Sequence, residues 1–171
     1  MTRSGRRREL QGRALIAGEA AGPALVLEAP LSLWGGMDPD SGRLIDHHHP
    51  QVGATLTGQI LVMPSGRGSS SSSSVLAESI RLGTAPLAIL LSAPDDILVL
   101  GALVAKYLYA HTCPIVVLPD DDAAIATGDQ VEVHGDRIAL LRPAGVVLRP
   151  WGRSGRALGL PGDPGRPTDE A

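Results

Sequence analysis

"GQILVMPSGRGSSSSSSVLAESIRLGTAPLAILLS", residues 58–92, decides the fold. It opens with a continuous apolar run, 58–64, that Pro64 ends. A short run without alternation is the pattern of a strand buried on both faces. The turn Gly66, Arg67, Gly68 and six consecutive serines, Ser69 to Ser74, come next. "SVLAESIRLGTAP" then has helical spacing: Val75, Leu76 and Ile80 share a face, and Gly83 with Pro86 ends the helix. "LAILLS", 87–92, is a second buried strand. Strand, Gly-rich turn, helix and strand in that order are the pattern of an α/β layer.

The same alternation continues outward. Pro94-Asp95-Asp96 supplies an N-cap and an acidic first turn for a second helix at about 96–110. Its apolar face would carry Leu100, Leu103, Val104, Tyr107 and Leu108, with Lys106 solvated and Tyr107 packed. "CPIVVLP", 113–119, is a third buried strand, with Cys113 a buried thiol at its start. "DQVEVHGDRIALL", 129–141, alternates around Gly135-Asp136 and reads as a β-hairpin. Upstream, the apolar runs 13–17 and 24–28 are punctuated by Gly18, Gly22 and Pro23, and read as two strands joined by a turn. Residues 35–50 are dense in Gly, Pro, Asp and Ser, a long loop of the kind that carries function. The expected organisation is a disordered basic arm over 1–12, one α/β domain over 13–148 with a mixed sheet or two β layers, and a disordered Gly/Pro/Arg tail over 149–171.

Composition narrows the function classes. Hydrophobic residues are 43% of the 171, enough for a core, but aromatics are only 2%, so Leu, Val, Ile and Ala must build it. The net charge of −3 gives no broad electrostatic footprint for nucleic acid. The basic cluster Arg3, Arg6, Arg7, Arg8 lacks the apolar segment a signal peptide needs, and the longest apolar stretch, Ile97 to Ala105, is too short to span a bilayer. A soluble cytoplasmic protein is the expectation. One cysteine excludes an internal disulfide framework and cannot by itself hold an iron–sulfur cluster or a structural zinc.

The serine loop has two local readings. One is a solvated connector, since serine runs are common. The other is an anion site, because the first N–H groups of a helix lack internal partners and the dipole favours negative charge. Gly66 and Gly68 would let the backbone approach a ligand, and Arg67 would fork onto a carboxylate or phosphate. The spacing is neither that of a P-loop nor that of a Gly-x-Ser-x-Gly elbow. A serine hydroxyl is a poor base unless something lowers its pKa or takes its proton. No His or Asp lies nearby in sequence, so proton chemistry here calls for a partner chain or a metal.

Three stretches in order carry a family resemblance. "PLSLWGGMDPDSGRLIDHHHP" at 30–50, "GQILVMPSGRGSSSSSSVLAE" at 58–78 and "GTAPLAILLSAPDDILVLGALVA" at 83–105 resemble the small, swivel-type subunit of the aconitase X family. The resemblance runs from about Gly12 to Gly135. It implies a swivelling β/β/α domain like the mobile C-terminal domain of aconitase. It implies a larger partner subunit that bears the iron–sulfur cluster, no cofactor bound by this chain alone, and dehydration of a hydroxylated carboxylic acid. Members of the family act on cis-3-hydroxy-L-proline in bacteria and on 5-phosphomevalonate in archaea. The first serine after the Gly-x-Gly turn is the family's proton-abstracting base, which falls here on Ser69; Gly66, Arg67, Gly68 and Ser70 become the expected substrate contacts. Archaeal members tend to read Gly-Ser-Thr-x-Gly-Ser after the turn, whereas all six positions here are serine. That difference favours cis-3-hydroxy-L-proline over (R)-5-phosphomevalonate. It also motivates a non-catalytic reading, a carboxylate-binding or assembly module. Ser71 to Ser74 are read as helix-capping.

The other polar clusters have plainer readings. His47, His48 and His49 are adjacent on an extended chain and point to different sides, so they are read as a polar loop near an interface and not as a metal site. Asp38 is read as a turn initiator, and Asp120, Asp121 and Asp122 as an acidic cap.

Overall fold

The structure is a computed structural model and describes residues 6–119 and 125–142. Strands β1 (Arg6–Gln11), β2 (Arg13–Ile16) and β3 (Glu19–Val26) come first, then the short β4 (Met37–Asp38) and β5 (Arg43–Leu44). The central run is β6 (Ile60–Met63), α1 (Ser72–Leu82), β7 (Ala88–Leu91), α2 (Asp96–Tyr109) and β8 (Ile115–Val117). The hairpin β9 (Gln130–His134) and β10 (Arg137–Arg142) closes the described chain.

β6, β7 and β8 pair in parallel, with Val62 opposite Leu90 and Leu90 opposite Val116. Because side chains alternate along a strand, each of these continuous apolar runs feeds two cores. Leu61, Met63, Ile89, Leu91 and Ile115 face α1 and α2. Ile60, Val62, Ala88, Leu90 and Val116 face a second β layer that supplies Val131, Val133, Ile138 and Leu140. β3 joins the layers: Glu19–Pro23 run antiparallel to β9, and Ala24–Val26 run parallel to β6. The result is a β/β/α domain, the expected fold class, with two β layers formed from one sheet of order β1-β10-β9-β3-β6-β7-β8-β2.

The two ends of that order, β1 and β2, are separated in sequence only by Gly12, so the sheet closes on itself there. A Cβ at Gly12 would stand 2.5 Å from Val116 Cγ1 and 3.0 Å from the Val117 carbonyl oxygen, so glycine permits the close pass.

Three expectations are corrected. Within the arm expected to be disordered over 1–12, Arg6–Gln11 form strand β1, paired antiparallel with β10, and residues 1–5 lie outside the described residues. Exposed Arg7 and Arg8 hide the strand, in which Leu10 is the one buried side chain among those described. The runs 13–17 and 24–28 do not pair with each other: β2 joins β8, and β3 joins β6 and β9. Part of the apolar face assigned to α2 is turned outward, with Tyr107 82%, Leu108 68% and Leu100 54% exposed, while Leu103 and Val104 pack against the helix-side core as expected. Leu98, Gly101, Ala102 and Ala105 are buried instead. A Cβ on Gly101 would lie 2.6 Å from the Ser73 carbonyl oxygen, so the helices approach too closely for large side chains. The expected ends hold: Gly83 closes α1 in the left-handed region, and the Asp95 carboxylate caps α2 by accepting from Ile97 and Leu98 N–H at 3.0 and 3.1 Å. The expected tail over 149–171 and the Asp120–Asp122 cap lie outside the described residues.

The long segment between β3 and β6 is a packed excursion. Leu27, Leu31, Leu33, Met37, Leu44 and Leu56 are buried in the helix-side core. Asp38 initiates its turn as expected: its carboxylate accepts from the Ser41 hydroxyl and from Asp40 N–H, and the Ser41 bond is the main reason its pKa is lowered. Leu31 bridges Gly66 in parallel, and Arg67 N–H donates to the Leu31 carbonyl at 3.1 Å. This contact ties the excursion to the serine loop.

Candidate active-site loop

The loop between β6 and α1 is set by two glycines. Gly66 lies against the α2 cap, where a Cβ would collide with the Asp95 carboxylate. Gly68 has φ +85°, a conformation glycine adopts without strain. The backbone reverses there, and no hydrogen bond among the described residues engages the N–H groups of Gly68, Ser69 or Ser70. Successive free N–H groups around a left-handed residue form a concavity suited to an anion.

The helix end itself is less available than expected. Ser72, Ser73 and Ser74 N–H already donate to the carbonyls of Ser69, Ser70 and Ser71 at 2.9, 3.2 and 3.1 Å. The N–H donors without a described partner therefore belong to the turn and not to the Ser72–Ser74 stretch of α1. The expected capping by Ser71 to Ser74 is also corrected. Ser71 makes no side-chain cap bond, and Ser73 Oγ donates back to the Ser70 carbonyl at 2.7 Å. Ser72 is buried, and its Oγ accepts from Trp34 N–H at 3.1 Å. The six serines thus have distinct surroundings although their sequence is uniform.

Ser69 is half-buried, and its Oγ accepts from Ser71 N–H at 3.3 Å. Ser70 is exposed. The Arg67 guanidinium reaches the excursion, where Nη2 donates to Asp46 Oδ2 at 3.2 Å. Asp46 Oδ1 accepts from His48 N–H at 2.9 Å. That bond, helped by the Arg67 charge, holds the Asp46 carboxyl below its ordinary range. One Arg67 nitrogen is engaged, and the rest of the fork is left for a second anion. Gly66, Gly68, Ser69, Ser72, Asp95 and Leu98 line a shallow depression with a cavity volume of only about 10 Å³. That is below the roughly 300 Å³ at which ligand pockets usually begin.

The structure brings Gly66, Arg67, Gly68, Ser69 and Ser70 onto one short turn. Sequence reasoning missed Asp46, Trp34 and the separate role of Ser72, which meet the loop only through long-range contacts. The three histidines diverge as expected. His49 is buried, with Nε2 3.1 Å from the Ala29 carbonyl and Nδ1 accepting from Gln51 N–H, while His47 and His48 are exposed.

The iron–sulfur cluster implied by the resemblance does not fit the residues of this chain. Cys113 is fully buried and burial pushes its thiol up to about 12, far from the thiolate a cluster needs. Among the described residues, no group of three or more His, Cys, Asp or Glu side chains stands together to hold a metal. No described helix is long and apolar enough to cross a membrane.

A β/β/α domain that presents a glycine–serine turn at the C-terminal edge of parallel strands is a swivel-type domain. Residues 9–141 match the aconitase X swivel domain model. The chain belongs to the aconitase X swivel domain family. It is 46% identical over 132 residues to cis-3-hydroxy-L-proline dehydratase of Pseudomonas aeruginosa, covering 77% of this chain and 23% of that protein. The chain thus spans under a quarter of that relative's length. It is 36% identical over 128 residues to the phosphomevalonate dehydratase small subunit of Methanothermobacter thermautotrophicus, covering 75% of this chain and 93% of that one. Among solved structures, it resembles the holo-form of Thermococcus kodakaraensis aconitase X with a TM-score of 0.71 and 30% identity, over 79% of this chain and 99% of that one.

Proposed function

We propose that this chain is the swivel subunit of an aconitase X-type hydro-lyase and that it dehydrates cis-3-hydroxy-L-proline together with a larger subunit. The observation that carries the reading is the turn at Gly66–Ser70, which collects free N–H groups, a guanidinium and a half-buried serine on one loop. In this reading Ser69 Oγ takes the proton α to the substrate carboxylate. The N–H groups of Gly68 to Ser70 and the free part of the Arg67 fork receive that carboxylate. The receptor for the departing hydroxyl belongs to the partner. The partner is also needed at Ser69, because no described His, Asp or Lys hydrogen-bonds its hydroxyl. The cytoplasm is the proposed location.

Phosphomevalonate is the second reading, supported by the match over 93% of an archaeal small subunit. The uniform serine run and the 46% identity to the P. aeruginosa protein favour hydroxyproline. The test is to co-express this chain with the aconitase X large subunit of the same genome and assay both substrates side by side. Dehydration of cis-3-hydroxy-L-proline by the pair, with neither chain active alone, is the expected result. Turnover of 5-phosphomevalonate only would replace the substrate assignment. Assembly without turnover of either would support the non-catalytic module.

A further inference from the structure

The surface beside the serine loop carries exposed apolar side chains on a backbone that is held rigidly. Trp34 is 60% exposed, yet its N–H donates to buried Ser72 Oγ at 3.1 Å and its carbonyl accepts from Ser32 Oγ at 3.1 Å. Ser32 Oγ and Ser72 Oγ are themselves 3.4 Å apart, which completes a small hydrogen-bonded ring at the start of α1. Two residues beyond Trp34, the Gly36 carbonyl accepts from Ile45 N–H at 2.8 Å, and the Ile45 side chain is 44% exposed. Asp46, next in sequence, holds Arg67 of the serine loop. Trp34, Ile45 and the Ser69 turn are therefore joined through one framework of hydrogen bonds.

We infer that Trp34 and Ile45 form the apolar anchor on which a larger catalytic subunit seats when it covers Ser69. The inference rests on the proposed function for the existence of that subunit. The Ser69 depression is too shallow to enclose a ligand, and the carboxylate that lines it, Asp95, is engaged in the α2 cap and makes no described hydrogen bond to Ser69, so whatever completes the site must lie over residues 66–70. A chain seated there meets Trp34, because Ser72 and Ser69 belong to the same turn. Aromatic residues ringed by polar groups dominate interface energies, and a side chain on a fixed backbone loses little freedom on binding. Arg67, His47 and His48 are exposed and supply such polar groups on the same excursion and loop. The occupant is a folded protein surface with an apolar recess for the indole and acceptors for the arginine. Neither exposed side chain belongs to a core cluster, so truncating them leaves the fold intact.

The test is calorimetric titration of this chain with the separately purified large subunit. Trp34→Ala weakens the complex about 30-fold or more, the scale of an interface hot spot, and Ile45→Ala weakens it less. Ser69→Ala, and Tyr107→Ser on the outward face of α2, leave affinity within about twofold. Wild-type affinity in Trp34→Ala overturns the inference, as does a loss that appears in Tyr107→Ser instead. Self-association of the isolated chain that Trp34→Ala abolishes also overturns it. Binding through Trp34 without dehydratase activity would sustain the anchor and remove the proposed reaction. A wild-type chain that does not bind the large subunit removes both.

Discussion

Substituting Gly66 by alanine tests how tightly the site turn is built against α2. A Cβ at Gly66 would lie 3.1 Å from Asp95 Cγ and closer still to its Oδ2, with Leu98 Cδ1 at 3.6 Å. Gly66 is not among the positive-φ glycines, so its backbone tolerates alanine and the cost is steric. The Asp95 carboxylate must move, and moving it removes the cap on Ile97 and Leu98 N–H. Losing such a cap costs about 1 kcal/mol, and an off-rotamer side chain about another 1 kcal/mol. Against this, Gly→Ala stabilises by about 0.4–1 kcal/mol through the unfolded chain. The net expectation is a loss of about 1–1.5 kcal/mol for Gly66→Ala. In an Asp95→Ala background there is neither carboxylate nor cap to disturb, so the same substitution becomes neutral or stabilising. Urea unfolding of the wild type, the two single variants and the double variant closes the cycle. An equal cost of Gly66→Ala in both backgrounds would refute the claim that the turn is seated on Asp95.

Other consequences are separately measurable. Gly12→Ala places a Cβ 2.5 Å from Val116 Cγ1 at the closure of the sheet and should cost about 1–3 kcal/mol, read as a lower urea midpoint. Ser72→Ala leaves Trp34 N–H without its acceptor and should cost about 1–2 kcal/mol, with a shift in tryptophan emission. Burial raises the Cys113 thiol to about 12, so above the ordinary thiol value the unfolded chain loses a proton that the native chain keeps. Stability should be complete below that value and fall by about 1.4 kcal/mol per pH unit as pH rises toward the folded value. Cys113→Ala should remove this part of the alkaline slope, and the native thiol should resist alkylation at neutral pH. Arg67→Lys should raise KM for the hydroxy acid about tenfold with a smaller change in kcat, because the fork is lost and the charge is kept.

The features legible in the sequence were those set by local pattern. Three continuous apolar runs became the parallel centre, Gly83 and Asp95 bounded their helices, and Gly135-Asp136 turned a hairpin. The serine turn stood out because an apolar strand stands immediately before it and a helix immediately after it. Features decided by distant contacts were hidden. Nothing in "RRRELQ" marks a strand until β10 lies beside it. Residue size pointed to Leu100, Tyr107 and Leu108 as the buried face of α2, whereas close approach to α1 selects Gly101, Ala102 and Ala105. Six identical serines could not reveal that Ser72 holds Trp34 while Ser69 faces the depression. Asp46 meets Arg67 across 21 residues of chain, which no local pattern encodes.

The proposed reaction stands or falls on Ser69. Steady-state turnover of cis-3-hydroxy-L-proline by the assembled complex carrying Ser69→Ala is the direct measurement. Loss of kcat by about 100-fold or more, with the complex still assembling at wild-type affinity, is the predicted result. Turnover at the wild-type rate in that complex would contradict the assignment of the base.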